Sequence, residues 1–284
     1  MDSKKKIELQ IIANKIRLNA LTGIFNASSG HPGGSLSIAD LLAYLYFEEM
    51  NVKPENPAWE DRDRFVLSKG HTAPALYSVL GLKGYFDVAE VATLRKFGSR
   101  MQGHPDMKGV PGVDMSTGSL GQGTSVAGGM ALNAKLLNKD YRVYSILGDG
   151  ECEEGQVWEA AMFAAHYKLD NLVTIVDFNG LQIDGNITDV MSPCPIDEKF
   201  KAFGFNVILI DAHNYDEIEA AFKKARETKG QPTAIIAKSI KGKGVSFMEN
   251  EAGWHGAAPN QEQFDIAVSE LKESIKELEG RLNG

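Results

Sequence analysis

Cysteine is scarce in this 284-residue chain. Only Cys152 and Cys194 occur, with no C-x-x-C, so a disulfide framework is excluded and a reducing compartment is indicated. No stretch approaches the roughly 18 apolar residues of a membrane span. The basic start, "MDSKKKIELQ", lacks the unbroken apolar run of a secretory signal. These absences predict a cytoplasmic protein with no membrane partner. Basic excess is also missing: the net charge is −8, which argues against nucleic acid as a partner. No G-x-x-x-x-G-K-S/T occurs, so a P-loop NTPase is disfavoured. "GSLGQG" is G-x-x-G-x-G rather than G-x-G-x-x-G, and no acidic residue follows it at a strand end about 20 positions on. A nicotinamide dinucleotide is therefore the weakest ligand hypothesis. None of the six histidines pairs at the short spacing of a zinc motif. Linker-like, repeated and low-complexity stretches are lacking too, so residues 1–284 are expected to form one domain.

What is present is alternation of helix and strand patterns. Apolar residues recur at three- and four-residue steps over 7–27, predicting a helix. A loop, "SSGHPGGSLS", follows, and Ser37 with Asp40 three residues later reads as a capping-box-like start of the next helix. "RDRFVLSKGH" reads as a short buried strand, and 73–97 as a helix interrupted near Gly81 and Gly84. Residues 100–123 form a long loop rich in Gly, with a helix after it. Strands are predicted at 142–147, 172–178, 205–211 and 232–240, with helices at about 154–167 and 215–228 between them. A charged amphipathic helix at about 261–282 closes the chain. Strands alternating with helices predict an α/β fold, a doubly wound and mainly parallel sheet with helices on both faces.

In such sheets, ligands sit beyond the carboxyl ends of the strands. His71 follows one predicted strand end, Asp149 a second and Asn179 a third, and His255 lies in the loop after the last strand. Asp149 and Asn179 are thirty positions apart, about one strand–helix–strand unit. Their oxygens suit Mg²⁺, which takes few protein ligands and completes its shell with phosphate and water. Gly148 and Gly150 are expected to let the backbone turn tightly against a phosphate. A helix starting near Glu153 would offer free N–H groups to the same anion. Alone, "GDG" and Asn179-Gly180 each read as ordinary turns; together at this spacing they read as a diphosphate site. Four histidines sit in Gly- or Pro-rich loops: His31, His71, His104 and His255. Histidine can orient hydroxyls and move protons near neutral pH. His166 and His213 read as structural.

"GDG" followed by "N" resembles the thiamine diphosphate-binding motif. With "SGHPGGSLS", "LSKGHTAPALY", "QGHPD", "TGSLGQG" and "WHGAAP", the chain resembles the N-terminal part of transketolase from about residue 7 to 260. DXP synthase shares the plan but is a poorer match around "LSKGHTAPALY" and "GHPD". The resemblance implies the thiamine diphosphate-binding fold and, as cofactors, thiamine diphosphate with Mg²⁺ or another divalent cation. It implies transfer of a two-carbon ketol unit from a ketose phosphate to an aldose phosphate. Asp149, Asn179 and the Leu181 carbonyl would be metal ligands, and Asn179 would also bind cofactor. Gly150 would contact the diphosphate, while Gly118 and Leu120 would line the cofactor cleft. His71 and His255 would meet cofactor phosphate and reacting groups, and His31 and His104 the donor's hydroxyls. Glu154 would join a carboxylate network across a subunit interface; otherwise it reads as a carboxylate favoured by the helix dipole. Transketolases also carry pyrimidine-binding and C-terminal domains, which hold the activating glutamate and most residues that grip the sugar phosphate. The expectation is therefore an N-terminal subunit of a split enzyme, forming a heterotetramer with a C-terminal transketolase subunit. A related ketol transferase acting on a modified sugar, or a non-catalytic cofactor-binding scaffold, are the alternatives.

Overall fold

The computed structural model describes residues 1–283. Its first helix, α1 (Ser3–Ala27), begins where Asp2 accepts hydrogen bonds from the Lys4 and Lys5 N–H groups. Such a cap contributes about 1 kcal/mol. The helix ends at Ser28, which turns left-handed at φ 48 and returns its N–H to the Ile24 and Phe25 carbonyls. Two short helices follow, α2 (Pro32–Ser37) and α3 (Ala39–Tyr44). The predicted capping box at Ser37 is absent. Ser37 is the last residue of α2, its hydroxyl bonds Asp177, and Asp40 is committed to Arg17 and His213. A buried guanidinium and imidazole outcompete a backbone cap for that carboxylate.

Strand β1 (Arg64–Leu67) leads to α4 (Ala73–Lys83), which stops at left-handed Gly84. After the long loop come α5 (Gln122–Leu136), β2 (Val143–Gly148), α6 (Gly155–His166) and β3 (Leu172–Phe178). His166, expected to be structural, is the last residue of α6. Five short elements have no counterpart in the sequence-based expectation: α2, inside the predicted loop, the hairpin β4 (Leu181–Gln182) and β5 (Gly185–Asn186), then α7 (Ile187–Val190) and α8 (Ile196–Ala202). Each is too short to show a period. The chain closes with β6 (Asn206–Asp211), α9 (Tyr215–Glu227), β7 (Thr233–Lys238) and α10 (Gln261–Asn283).

Five strands form one sheet in the order β1-β2-β3-β7-β6, every pair parallel. Alternate residues take opposite faces. Phe65, Leu67, Tyr144, Ile146, Val173 and Ile175 join the core shared with α1, α3, α4 and α9. Val66, Val143, Leu147, Leu172 and Val176 join the core under α5, α6 and α8. Buried on both faces, the central strands read as apolar runs. The doubly wound expectation holds. The closing helix α10 is amphipathic as predicted, and it packs along α1 by burying Ala267, Leu271 and Leu278.

Candidate active site

All five parallel strands point the same way, so their carboxyl ends share one rim. From β1 the chain delivers Lys69 and His71, from β2 Asp149, from β3 Asp177 and Asn179, and from β7 Ser239 and Lys241. A cleft of about 430 Å³ opens there. His31, His71 and His255 line it, with Asp149, Asn179 and Leu181. Gly118, Leu120, Gly150 and Glu154 line it too. Of the sequence-predicted site residues only His104 stands behind the wall. Its ring lies 3.0 Å from where a Cβ on Gly118 would be, so only glycine fits there.

The imidazoles of His31, His71 and His255 form a triangle with ring centroids 5.1, 5.3 and 5.6 Å apart. Burial pushes His31 down to about 4, aided by Arg95, and His255 down to about 3, aided by Lys241. Burial likewise holds His71 well below the ordinary histidine value, with Lys69 nearby, and lowers His104 beside Arg95. At neutral pH all four rings are therefore uncharged, and each can donate from one nitrogen and accept at the other.

Asp149 is almost fully buried. Its oxygens accept the Gly150 N–H at 2.8 Å and the Gly180 N–H at 2.6 Å. Burial and then the nearby Asp177 charge push its carboxyl up to about 6. Asn179 Oδ1 accepts the Leu181 N–H at 3.1 Å, while its Nδ2 donates to Asp177 at 3.1 Å. The role expected of Gly148 and Gly150 needs correcting. Neither adopts positive φ, unlike Gly121 (φ 81) and Gly180 (φ 76) in the flanking loops. Glycine at 148 leaves open space, since a Cβ there would meet nothing closer than 3.9 Å, whereas a Cβ at Gly150 would press on the Gln182 side chain at 3.2 Å. The helix start is corrected as well. Residues Gly150–Glu153 form a 3₁₀ turn, and Glu154 is the residue preceding α6, exposed and making no side-chain cap.

Several functional groups carry no strong signal in the sequence. Lys241 is 2% exposed, and its Nζ lies 2.9 Å from both the Leu181 carbonyl and His255 Nδ1. Burial, then the neighbouring Lys69 ammonium, brings it down to about 8. Lys69 Nζ pairs with Asp177 at 2.5 Å. Burial works to raise Asp177, but that ammonium and the hydroxyls around it prevail and hold it below the usual carboxylate value. Glu151 staples the loop to the strands, accepting from Ser68 Oγ at 2.5 Å, the Gly121 N–H at 2.8 Å and the Gly148 N–H at 3.0 Å. Arg95 donates to Ser29 Oγ at 2.7 Å and lies against Gly103, so one cation touches both loops that carry His31 and His104. Lys69 lies inside "LSKGH", where a lysine beside a predicted strand end is a usable signal. Lys241 and Arg95 give none, because ordinary surface lysines and arginines look the same in sequence.

The cleft fits a metal-held diphosphate. His31 Nδ1 and Gln182 Nε2 are buried there without a protein partner, as expected of groups that await a ligand. No group of three or more His, Cys, Asp or Glu is placed to hold a metal ion by itself among the described residues. The oxygens of Asp149, Asn179 and Leu181 are thus a partial, hard donor set, which suits an ion that brings phosphate and water with it. Two lysines stand by to neutralise the anion.

The family described as transketolase, thiamine diphosphate binding domain, matches residues 8–274. The chain belongs to that family. It is 47% identical to the 6-deoxy-6-sulfo-D-fructose transketolase subunit SqwG of Clostridium sp. (strain MSTE9), over 95% of this chain and 98% of that one. It is 44% identical to one subunit of the apulose-4-phosphate transketolase of Phocaeicola vulgatus, over 98% of each. Human transketolase is 42% identical over 97% of this chain, which spans 44% of that protein. The transketolase structure from Campylobacter jejuni superposes with a TM-score of 0.89 at 33% identity, covering 98% of this chain and 46% of that one. The transketolase resemblance and the fold read from sequence are both borne out, and the cleft is that of a thiamine diphosphate-binding domain.

Proposed function

We propose that this chain is the diphosphate-binding subunit of a two-chain transketolase that moves a two-carbon ketol unit from a ketose phosphate to an aldose phosphate. The observation that carries the reading is one cleft in which three uncharged imidazoles face the oxygens of Asp149, Asn179 and Leu181. Thiamine diphosphate, when bound, supplies the electron sink for carbon–carbon cleavage. Asp149, Asn179 and the Leu181 carbonyl would hold Mg²⁺ or another divalent cation. Lys241 now donates to that same carbonyl. A cation on that oxygen would repel the ammonium and turn it toward the diphosphate. His71 and His255 sit deepest beside the two lysines and would take the phosphate side. His31, with an unpartnered Nδ1, and His104 behind it would orient sugar hydroxyls and move their protons.

Glu154 lies exposed at the cleft edge, free to meet a carboxylate of a neighbouring chain. Leu136 and Leu137 at the end of α5, Met162 within α6 and Tyr167 just after it are also exposed. An apolar surface of this kind supports docking of a partner chain, here one with pyrimidine-binding and C-terminal domains, in a heterotetramer. A modified sugar is the second reading. Two relatives that match this chain along nearly their whole length are named for 6-deoxy-6-sulfo-D-fructose and for apulose 4-phosphate. The test is reconstitution. This chain alone should transfer no ketol unit, and the pair should be active with Mg²⁺ and thiamine diphosphate. Comparing xylulose 5-phosphate with 6-deoxy-6-sulfofructose and apulose 4-phosphate separates the two readings. Full activity of the lone chain would overturn the two-chain proposal.

A further inference from the structure

Asp177 lies beneath the cleft floor, fully buried, and does not line the cleft. It accepts from four side chains. Lys69 Nζ at 2.5 Å, Ser37 Oγ at 2.8 Å and Asn179 Nδ2 at 3.1 Å share Oδ2, and Ser239 Oγ donates to Oδ1. Each donor belongs to a segment that brings a group to the cleft. Ser37 ends the helix that starts after His31, Lys69 precedes His71 by two residues, and Ser239 precedes Lys241 by two.

We propose that Asp177 is a positioning residue that fixes the side-chain amide of Asn179 with its oxygen turned toward a divalent cation. The inference rests on the reading of Asp149 and Asn179 as cation ligands. An ionised carboxylate can only accept, so the amide must present its NH₂ end to Asp177. Its oxygen then faces away, where it takes the Leu181 N–H at 3.1 Å. Flipping the amide would set its oxygen against the carboxylate and its NH₂ against an N–H, losing both bonds. The amide is thus locked before any ion arrives, which spares the ion that ordering. Asp177 itself does not line the cleft and reaches the cation only through Asn179.

The probe is Mn²⁺ with thiamine diphosphate, read by electron paramagnetic resonance of free Mn²⁺. It is applied to the full chain, or to the assembled pair if the wild-type chain alone takes up no Mn²⁺. Asp177→Asn keeps the shape but offers an NH₂ where an acceptor stood. Its Mn²⁺ affinity should fall by about 10- to 100-fold. The exchange D177N/N179D sets a donor against an acceptor again and should recover about tenfold over D177N. A merely structural role would lower the melting temperature and leave the affinity of folded protein unchanged. Asp149→Ala separates the two layers. If it keeps wild-type Mn²⁺ affinity, the cation reading itself fails. If it loses Mn²⁺ while D177N stays within twofold of wild type, the positioning role is overturned. Should D177N not fold, the metal-free wild-type chain decides through the nitrogen-15 spectrum. The Asn179 side-chain amide, assigned by its loss in N179D, should be protected from hydrogen exchange. Free exchange of that amide refutes the lock.

Discussion

At the amino end of the sheet, Glu49 accepts from Tyr144 Oη at 2.9 Å and pairs with Arg226; at the carboxyl end, Lys241 has no carboxylate within 4.0 Å among the described residues. The contrast extends to the neighbours. Asp63 takes two backbone N–H groups, from Asn51 and Arg142, and Asp114 takes the Phe65 N–H and Arg62. At the other end Asp149 has no cationic partner in contact, His31 Nδ1 is orphaned, and two lysines lie close enough to depress one of them. Both ends bury charge: the amino end pairs Asp114 and Glu49 with arginines, and the carboxyl end pairs Lys69 with Asp177 but leaves Lys241 and Asp149 without an opposite charge in contact. Unbalanced buried charge is costly and persists where a ligand completes it. The amino end therefore secures the fold, and the carboxyl end holds stability in reserve for binding.

Substitutions at each end should break that contrast in opposite directions. Asp149→Ala has the largest expected effect. Metal-dependent binding of thiamine diphosphate should weaken by at least about 100-fold, measured by calorimetry, with little change in melting temperature, because removing a desolvated carboxylate offsets the two N–H bonds lost at Gly150 and Gly180. Glu49→Ala should do the reverse. It strands the Tyr144 hydroxyl, whereas Arg226 is 44% exposed and can turn to water. Urea unfolding should show a loss of about 2 kcal/mol, and cofactor affinity should stay within twofold. A fall in affinity for Glu49→Ala would dissolve the division of labour.

Most of this contrast is legible in sequence on one side only. Runs such as "YSIL" and "LVTIV" are readable as doubly buried strands because both faces demand apolar residues. Asp149 and Asn179 stand out because a carboxylate and an amide end such runs. The histidines stand out because Gly- and Pro-rich loops surround them. Lys241, Asp177 and Glu151 do not. Their significance lies in partners such as His255, Ser68, Lys69 and Ser37, 14 to 140 residues away, and no local pattern encodes a buried charge network. The capping box at Ser37 fails for the same reason: long-range bonds to Asp177 and Arg17 override a local signal.

Lys241→Met sharpens the contrast at a smaller amplitude. It removes a buried ammonium that burial already brings down to about 8. The free protein should keep or raise its melting temperature, while diphosphate affinity falls roughly tenfold, the value of one charge-assisted hydrogen bond. In the wild type, the lysine loses its proton as pH rises through about 8, so affinity should decline above that pH. The Met variant should lack this decline.

The smallest effect is on stability in mild acid. Unfolded histidines take up protons below about 6.5. In the folded protein His31 waits until about 4 and His255 until about 3, with His71 and His104 also lowered. Between these limits the unfolded state binds more protons, so stability falls as pH is lowered through that window. Asp149 acts with the opposite sign. Its folded value of about 6 lies above the ordinary 3.8, so the folded state binds its proton first and gains stability as pH falls between the two. One carboxyl offsets only part of four imidazoles, and net proton uptake on unfolding at pH 5 should be measurable in lightly buffered solution. Replacing His31 and His255 with Asn should remove much of that uptake. Replacing Tyr144 with Phe, at the amino end, should leave it unchanged, because that hydroxyl does not titrate in acid. If the two exchanges altered the uptake equally, the acid sensitivity would belong to the whole fold rather than to the cleft.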